Sequence, residues 1–427
     1  MEQKARAGSR NEMFWRIIWP VVVVIIFGGA MLFANGCGGG GGGSDGTKAE
    51  NSDLNQNNNQ NPPADQNANP PADVKKIAGL IQLSRTGQAK CYNSSGAETD
   101  CKETGQDGDI QAGIAWPDPR FTDNGDGAVT DNLTGLMWMR DGNIKETRPH
   151  STCIFGCPPE GSELYNGAAS YVLMLNAEKY LGYSDWRLPN INELGSLLDL
   201  GKYGFTLPQD HYFVNIEKGF YWSSTIHSPF PLDEPPNVWG MYFYSGIVSR
   251  IETRYGDRGF IWPVRTTDAK LVRISQTDGD DPKFKNGIVW PNPRFIDNGN
   301  GTLSDALTGL VWTKNMNPVK KAITWQEALD YVAGMNKGVY PNFGYVDWRL
   351  PNRKELESLQ YYHTPRPWAA STILFTDYPG KSFWTSTTHM GNMQYAWSVV
   401  ITSGTITDST FELNEKAKVA SYLWPVR

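Results

Sequence analysis

The strongest constraint on this 427-residue chain is that most of it is written twice. Residues 113–127 (GIAWPDPRFTDNGDG) return as residues 287–301 (GIVWPNPRFIDNGNG), and 133–138 (LTGLMW) return as 307–312 (LTGLVW), both 174 residues later. Three further blocks return after 162 residues: 185–190 as 347–352 (DWRLPN in both), 221–225 (YWSST) as 383–387 (FWTST), and 262–265 as 424–427 (WPVR in both). The first copy therefore carries 12 extra residues between its early and middle blocks, in the interval that holds Cys153 and Cys157. A period this long with only two copies implies tandem globular domains rather than a solenoid. The second copy ends at Arg427, so Arg265 should end the first. That places the domains at 79–265 and 271–427, with a short linker at 266–270.

Within each copy the element signals follow one order. Thr324 with Glu327 has the form of a capping box, followed by Trp325, Ala328, Leu329 and Val332 at helical spacing. The matching helix of the first copy is expected from about Leu164 to Leu181. Asn190 with Glu193, and Asn352 with Glu355, predict a second helix start in each copy. Leu194, Leu197 and Leu198, or Leu356 and Leu359, should supply its buried face. Segments 239–251 and 396–406 are rich in aromatic and β-branched residues and read as strands. A hairpin, two helices and several antiparallel strands make an α+β domain.

Ahead of the repeats, Lys4, Arg6, Arg10 and Arg16 precede an apolar run from Ile17 to Phe33 that ends at Ala34, Asn35, Gly36 and Cys37. Positive residues, an apolar stretch and small residues form a secretory signal. The Cys resembles the acylated residue of a bacterial lipoprotein, although Asn35 is polar where such signals carry a small residue. The competing reading keeps residues 17–33 as an uncleaved anchor, but Pro20 interrupts a run already shorter than the usual ~20 residues. Gly38 stands where an Asp would direct retention at the inner membrane, so the expected address is the outer membrane or cell surface. Residues 38–78 are rich in Gly, Asn, Gln and Pro and lack apolar mass, which reads as a disordered tether. Setting Cys37 aside for the lipid leaves Cys91, Cys101, Cys153 and Cys157, an even number in an oxidising compartment. Proximity favours Cys91–Cys101 and Cys153–Cys157, though four cysteines allow three connectivities. Neither spacing suits a zinc knuckle.

Taken together, the five repeated blocks resemble the Lcl C-terminal domain family, named for the terminal domain of a collagen-like bacterial adhesin. The resemblance covers nearly everything from about residue 80 onward, and the lead-in with Cys91 and Cys101 also looks like the family. The Trp-Arg-Leu-Pro block is similar to one in formylglycine-generating-enzyme-like domains. The resemblance implies a C-type-lectin-like α+β core and a binding role, with sulfated polysaccharide as one ligand class.

Asp123, Asn124, Asp126 and Asp131, with Asp297, Asn298, Asn300 and Asp305, present oxygen ligands that suit calcium. The same residues are what a β-hairpin turn requires, and the turn is the preferred reading. Arg187 and Arg349 are expected to pair with Glu193 and Glu355, and the Trp-Arg-Leu-Pro block is assigned to structure. Ligand-binding candidates come from the stretches where the copies differ. These are His227, Asp233, Glu234, Trp239 and Tyr242 in the first copy, and His389, Asn392, Gln394, Tyr395 and Trp397 in the second.

Charge separates the copies. Residues 79–265 hold 15 Lys and Arg against 23 Asp and Glu, whereas 271–427 hold 16 against 14. A polyanion would be repelled by the first copy, which leaves Lys320, Lys321, Arg353 and Lys354 as its contacts. The net charge of −6 gives no footprint for nucleic acid. No His spacing, nucleophile elbow or phosphate loop points to catalysis. The expectation is a non-enzymatic ligand-binding or adhesion lipoprotein with an extracellular glycan or protein partner. A formylglycine-generating-type enzyme and a purely architectural envelope protein are the alternatives.

Overall fold

The computed structural model describes residues 77–143, 167–227, 237–252, 259–266, 288–360, 362, 374–401 and 411–427. The expected signal with Cys37, nearly all of the tether, the Cys153–Cys157 loop, Asp233, Glu234 and all but the first residue of the linker lie outside the described residues. Among those described, no helix is long and apolar enough to cross a membrane.

A lead-in comes first, with strands β1 (Cys91–Tyr92) and β2 (Glu98–Thr99) and a single helical turn, α1 (Asp107–Ile110). The first copy then contains β3 (Phe121–Asp123), β4 (Ala128–Asp131), β5 (Leu136–Met139), α2 (Ala168–Ala177), α3 (Ile191–Ser196), β6 (Phe220–His227), β7 (Asn237–Tyr242), β8 (Ile247–Glu252) and β9 (Val264–Thr266). The second repeats the order: β10 (Phe295–Asp297), β11 (Thr302–Asp305), β12 (Val311–Thr313), α4 (Trp325–Asn336), α5 (Arg353–Glu357), β13 (Ser382–Thr388), β14 (Tyr395–Val400) and β15 (Phe411–Glu415). This is a sheet-rich α+β fold.

Each copy has two antiparallel sheets. One is the early hairpin, β3-β4-β5 or β10-β11-β12, closed by the terminal Trp-Pro-Val-Arg block: β9 pairs with β5, and Val426 bridges Trp312. The other is a meander, β6-β7-β8 or β13-β14-β15, and both meanders are irregular at the same place, after Trp222 and after Trp384. The Asp-Asn-Gly-x-Gly turn works by the same device in both hairpins. Gly127 and Gly301 have φ of 91° and 88°, and a Cβ there would lie 2.9 Å from Leu181 or 2.7 Å from Phe343.

The repeated tryptophans fill the core. Trp138, Trp186, Trp222 and Trp262, with Trp312, Trp348, Trp384 and Trp424, are all buried. Two matched pairs of indole N–H groups find matched acceptors, Met139 O for Trp262 with Thr313 O for Trp424, and Tyr180 O for Trp186 with Asn342 O for Trp348, whereas Trp138 and Trp312 leave theirs without a hydrogen-bond partner. One amide side chain brackets the backbone of the Trp-Arg-Leu-Pro block in each copy, Asn176 at Trp186 and Asn336 at Trp348.

All three expected capping boxes are present, at Asn190, Thr324 and Asn352. Glu193 and Glu355 each cap a helix and also hold the preceding arginine bidentately: Arg187 to Glu193 at 2.7 and 2.6 Å, Arg349 to Glu355 at 2.6 and 2.6 Å. The expected helix from 164 to 181 is shorter. It ends at Ala177, because Lys179 and Leu181 take left-handed φ values and turn the chain toward Trp186.

The two copies are not separate bodies. All described residues belong to one compact unit, and one hydrophobic cluster runs from Phe121 and Trp138 of the first copy to Trp397 and Trp424 of the second.

Candidate ligand-binding site

The lead-in lies between the copies, and most of its polar contacts go to the second. Gln88 forms a paired amide contact with Thr388, donating to its carbonyl at 2.7 Å and accepting from its N–H at 2.8 Å. Asp107 accepts from Thr86 Oγ1 at 2.8 Å and from Thr387 Oγ1 at 2.7 Å. Burial raises its carboxyl to about 6. Lys416 reaches Tyr92 O and Thr388 Oγ1 over the Trp325 ring, and burial lowers its ammonium to about 7. On the other side, Leu200 N–H donates to Thr86 O, and a Cβ on Gly87 would meet Asp199 Oδ1 at 2.2 Å. The expected Cys91–Cys101 disulfide closes this segment. The sequence attaches the lead-in to the first copy, whereas the fold places it across the second.

At one end of this seam, rings and amides from both copies come to the surface. Tyr203 is 49% exposed and packs edge-on against Tyr244 at 5.4 Å and against His389 of the second copy at 5.8 Å. Phe205 meets Tyr244 at 6.0 Å and holds a φ of 114°, a value that costs a bulky residue energy and is concentrated at functional positions. Lys218 lies 5.0 Å from the Tyr244 ring. Across from them, the turn after β13 presents exposed Gly391, Asn392 and Gln394, and Gln394 Nε2 reaches Ser95 O of the lead-in. A Cβ on Gly391 would lie 2.4 Å from the Tyr203 ring, so this glycine permits the close approach. Below, His389 is buried against Trp397, and its Nδ1 has no hydrogen-bond partner. Burial, with the Arg353 charge beside it, lowers the imidazole to about 4 and keeps it neutral at pH 7.

The model of the Lcl C-terminal domain matches residues 127–265 and 301–427, more than half of the chain. The chain belongs to the Lcl C-terminal domain family. Both matched segments fall on the repeated blocks, so the molecule carries this domain twice. No curated protein matches its sequence.

The structure divides the residues singled out in the two Lcl C-terminal domains. Asn392 and Gln394 are exposed, and Tyr395 is half-buried at the start of β14. Lys320 and Lys321 are exposed in the loop before α4. Trp239 and Trp397, expected as ligand contacts, are instead core, at 4% and 2% exposure. Trp239 donates to Tyr362 O across the seam, and Trp397 lies under the Arg353 guanidinium at 4.1 Å. Tyr242 is half-buried against Phe220. Arg353 and Lys354, taken as polyanion contacts, are buried as well: Arg353 Nη2 reaches Gly246 O of the first domain at 2.6 Å, and Lys354 Nζ reaches Ser84 Oγ and Arg85 O. Oxygen acceptors of the first domain and the lead-in, with the Trp397 ring, hold these cations inward. His227 ends β6, and its side chain lies outside the described residues.

The acidic loops are occupied by their own turns. Asp123 and Asp126 accept from the N–H groups of Gly125 and Ala128, and Asn124 accepts from Thr130 Oγ1. In the second domain, Asp297 accepts from Gly299 N–H and pairs with Lys314, which holds its carboxyl below the usual range. Asn298 and Asn300 bond Thr302 and Ser304. Asp131 and Asp305 are buried and bound to Arg120 and Arg294. Among the described residues, no group of three or more His, Cys, Asp or Glu could hold a metal ion. Tyr203, Phe205 and Tyr244 were not among the expected residues. Tyr203 and Phe205 fall in a stretch of the first copy that matches nothing in the second, whereas Tyr244 stands in a matched strand end where the second copy has Thr402.

Proposed function

We propose that this chain is an exported surface lipoprotein, anchored through Cys37, whose two Lcl C-terminal domains bind an extracellular ligand without catalysing a reaction. Each domain is C-type-lectin-like in fold. The observation that carries the reading is the seam surface, where Tyr203 and Tyr244 stand beside Asn392 and Gln394 above a neutral His389 with an unpartnered nitrogen. Exposed aromatic faces bordered by amides suit the apolar faces and hydroxyls of sugar rings. With Arg353 and Lys354 buried, a neutral glycan fits better than a sulfated one. The Cys91–Cys101 disulfide ties up two of the cysteines that a formylglycine-generating-type oxidase would require as thiols.

A panel of neutral and sulfated glycans tests the reading with the full chain. Saturable retention of a neutral glycan is expected, weakened at least ~10-fold, or about 1.4 kcal/mol, in Tyr203→Ala and Tyr244→Ala. Lys320→Ala and Lys321→Ala should leave it unchanged. Retention that follows sulfation and the two lysines would move the site elsewhere. No saturable retention of any glycan would leave a protein ligand or the architectural role.

A further inference from the structure

A cavity of about 470 Å³ lies along the seam, lined by none of the residues of the aromatic surface. Its polar floor is built from equivalent positions of the two copies: Asn192, Gly195 and Ser196 at the end of α3, and Lys354, Glu357 and Ser358 at the end of α5. Much of the remaining lining is aliphatic, with Leu80 and Leu83 from the lead-in, Ile114, and Ile288. Such a volume and mixed lining are typical of small-molecule sites.

The copies diverge where they face this space. Asn192 and Gly195 do not ionise, whereas the matching Lys354 and Glu357 are a base and an acid three residues apart, on one face of α5. Gly195 leaves room for that pair, since a Cβ there would already lie 3.4 Å from Glu357 Oε1. Lys354 is 8% exposed and directs two of its three N–H donors to Ser84 Oγ at 2.9 Å and Arg85 O at 3.1 Å. Glu357 Oε1 is buried and has no hydrogen-bond partner. One Lys354 N–H and the Glu357 carboxylate therefore remain without a partner in the lining of the cavity. A carboxylate would satisfy Lys354 and face Glu357, and an ammonium would do the reverse. A hydroxyl satisfies both, because it accepts and donates at one atom.

We propose that this cavity is a second ligand site, for a small uncharged aliphatic alcohol or diol whose hydroxyl accepts from Lys354 Nζ and donates to the Glu357 carboxylate. The chain of the ligand lies along the lead-in wall. The site requires both copies and the lead-in together.

Titration calorimetry on the full chain in lipid nanodiscs, with empty discs subtracted, tests this with three probes of equal chain length: 1,2-hexanediol, hexanoate and hexylamine. The diol should bind saturably and about tenfold or more tighter than either ion. Gly195→Leu, which puts a side chain into the cavity and suits a helix, should abolish diol binding while leaving the unfolding temperature near the parent value. Lys354→Met should weaken the diol by about tenfold and reduce its advantage over hexylamine. The proposal is overturned if either ion binds more tightly than the diol, if Gly195→Leu binds the diol as well as the parent, or if no probe gives saturable heat.

Discussion

Arg349 and Glu355 show how one residue type at one spacing sets a local structure. The carboxylate caps α5 through Asn352 N–H and grips the arginine six residues before it. Removing either partner strands the other in a poorly solvated position. Glu355→Gln or Arg349→Met should therefore cost about 3–5 kcal/mol in chemical denaturation, and Glu193→Gln about the same. These pairs could be read from the sequence because both partners lie within one repeated block. Arg353 and Lys354 could not, because Arg353 is covered by Gly246 of the first domain and by Trp397, and Lys354 by a lead-in about 270 residues earlier. Lys354 and Lys416 are both pushed by burial from 10.5 to about 7. Between those values the unfolded chain holds more protons than the folded one. Stability from these groups is therefore full above 10.5, falls as pH is lowered, and is lost through pH 7. Unfolding free energy should rise between pH 7 and about 9.5, and Lys416→Met should flatten that slope even though it lowers stability at every pH.

The lead-in is the element whose role is least visible in the chain. Its cysteines and its Thr-Gly-Gln pattern are plain, but its partners Thr387, Thr388 and Lys416 carry no apolar signature that would mark a packed face. Adjacency in sequence ties it to the first copy, whereas hydrogen-bond satisfaction ties it to the second. A disulfide closing a loop of this length stabilises by about 3 kcal/mol. In the double Cys91→Ser, Cys101→Ser variant the Thr388 amide, which donates to Gln88 Oε1, should lose hydrogen-exchange protection before the Trp384 amide does. Equal loss at both would mean that the disulfide is not what keeps the lead-in joined to the unit. The capped helices, by contrast, were legible to within a few residues, since their stop and start signals are local. The exception is α2, whose early end comes from left-handed residues rather than from a glycine or proline.

At the scale of the molecule, duplication is what the sequence declares most openly, and the packing of the copies is what it leaves out. Matched tryptophans, matched arginine–carboxylate pairs and matched turns build two Lcl C-terminal domains on one plan. The residues that differ are found at the seam: Tyr203 and Phe205 beside His389, Glu357 over Gly195, and Arg353 against Gly246. A seam that joins both domains and the lead-in should open only when the whole unit does. Native-state hydrogen exchange on the full chain tests this directly, through the amides of Trp222 in the first domain, Trp384 in the second and Thr388 at the lead-in. The account predicts one common opening free energy, within about 1 kcal/mol. A first domain that opens several kcal/mol below the second, with Thr388 unaffected, would contradict it.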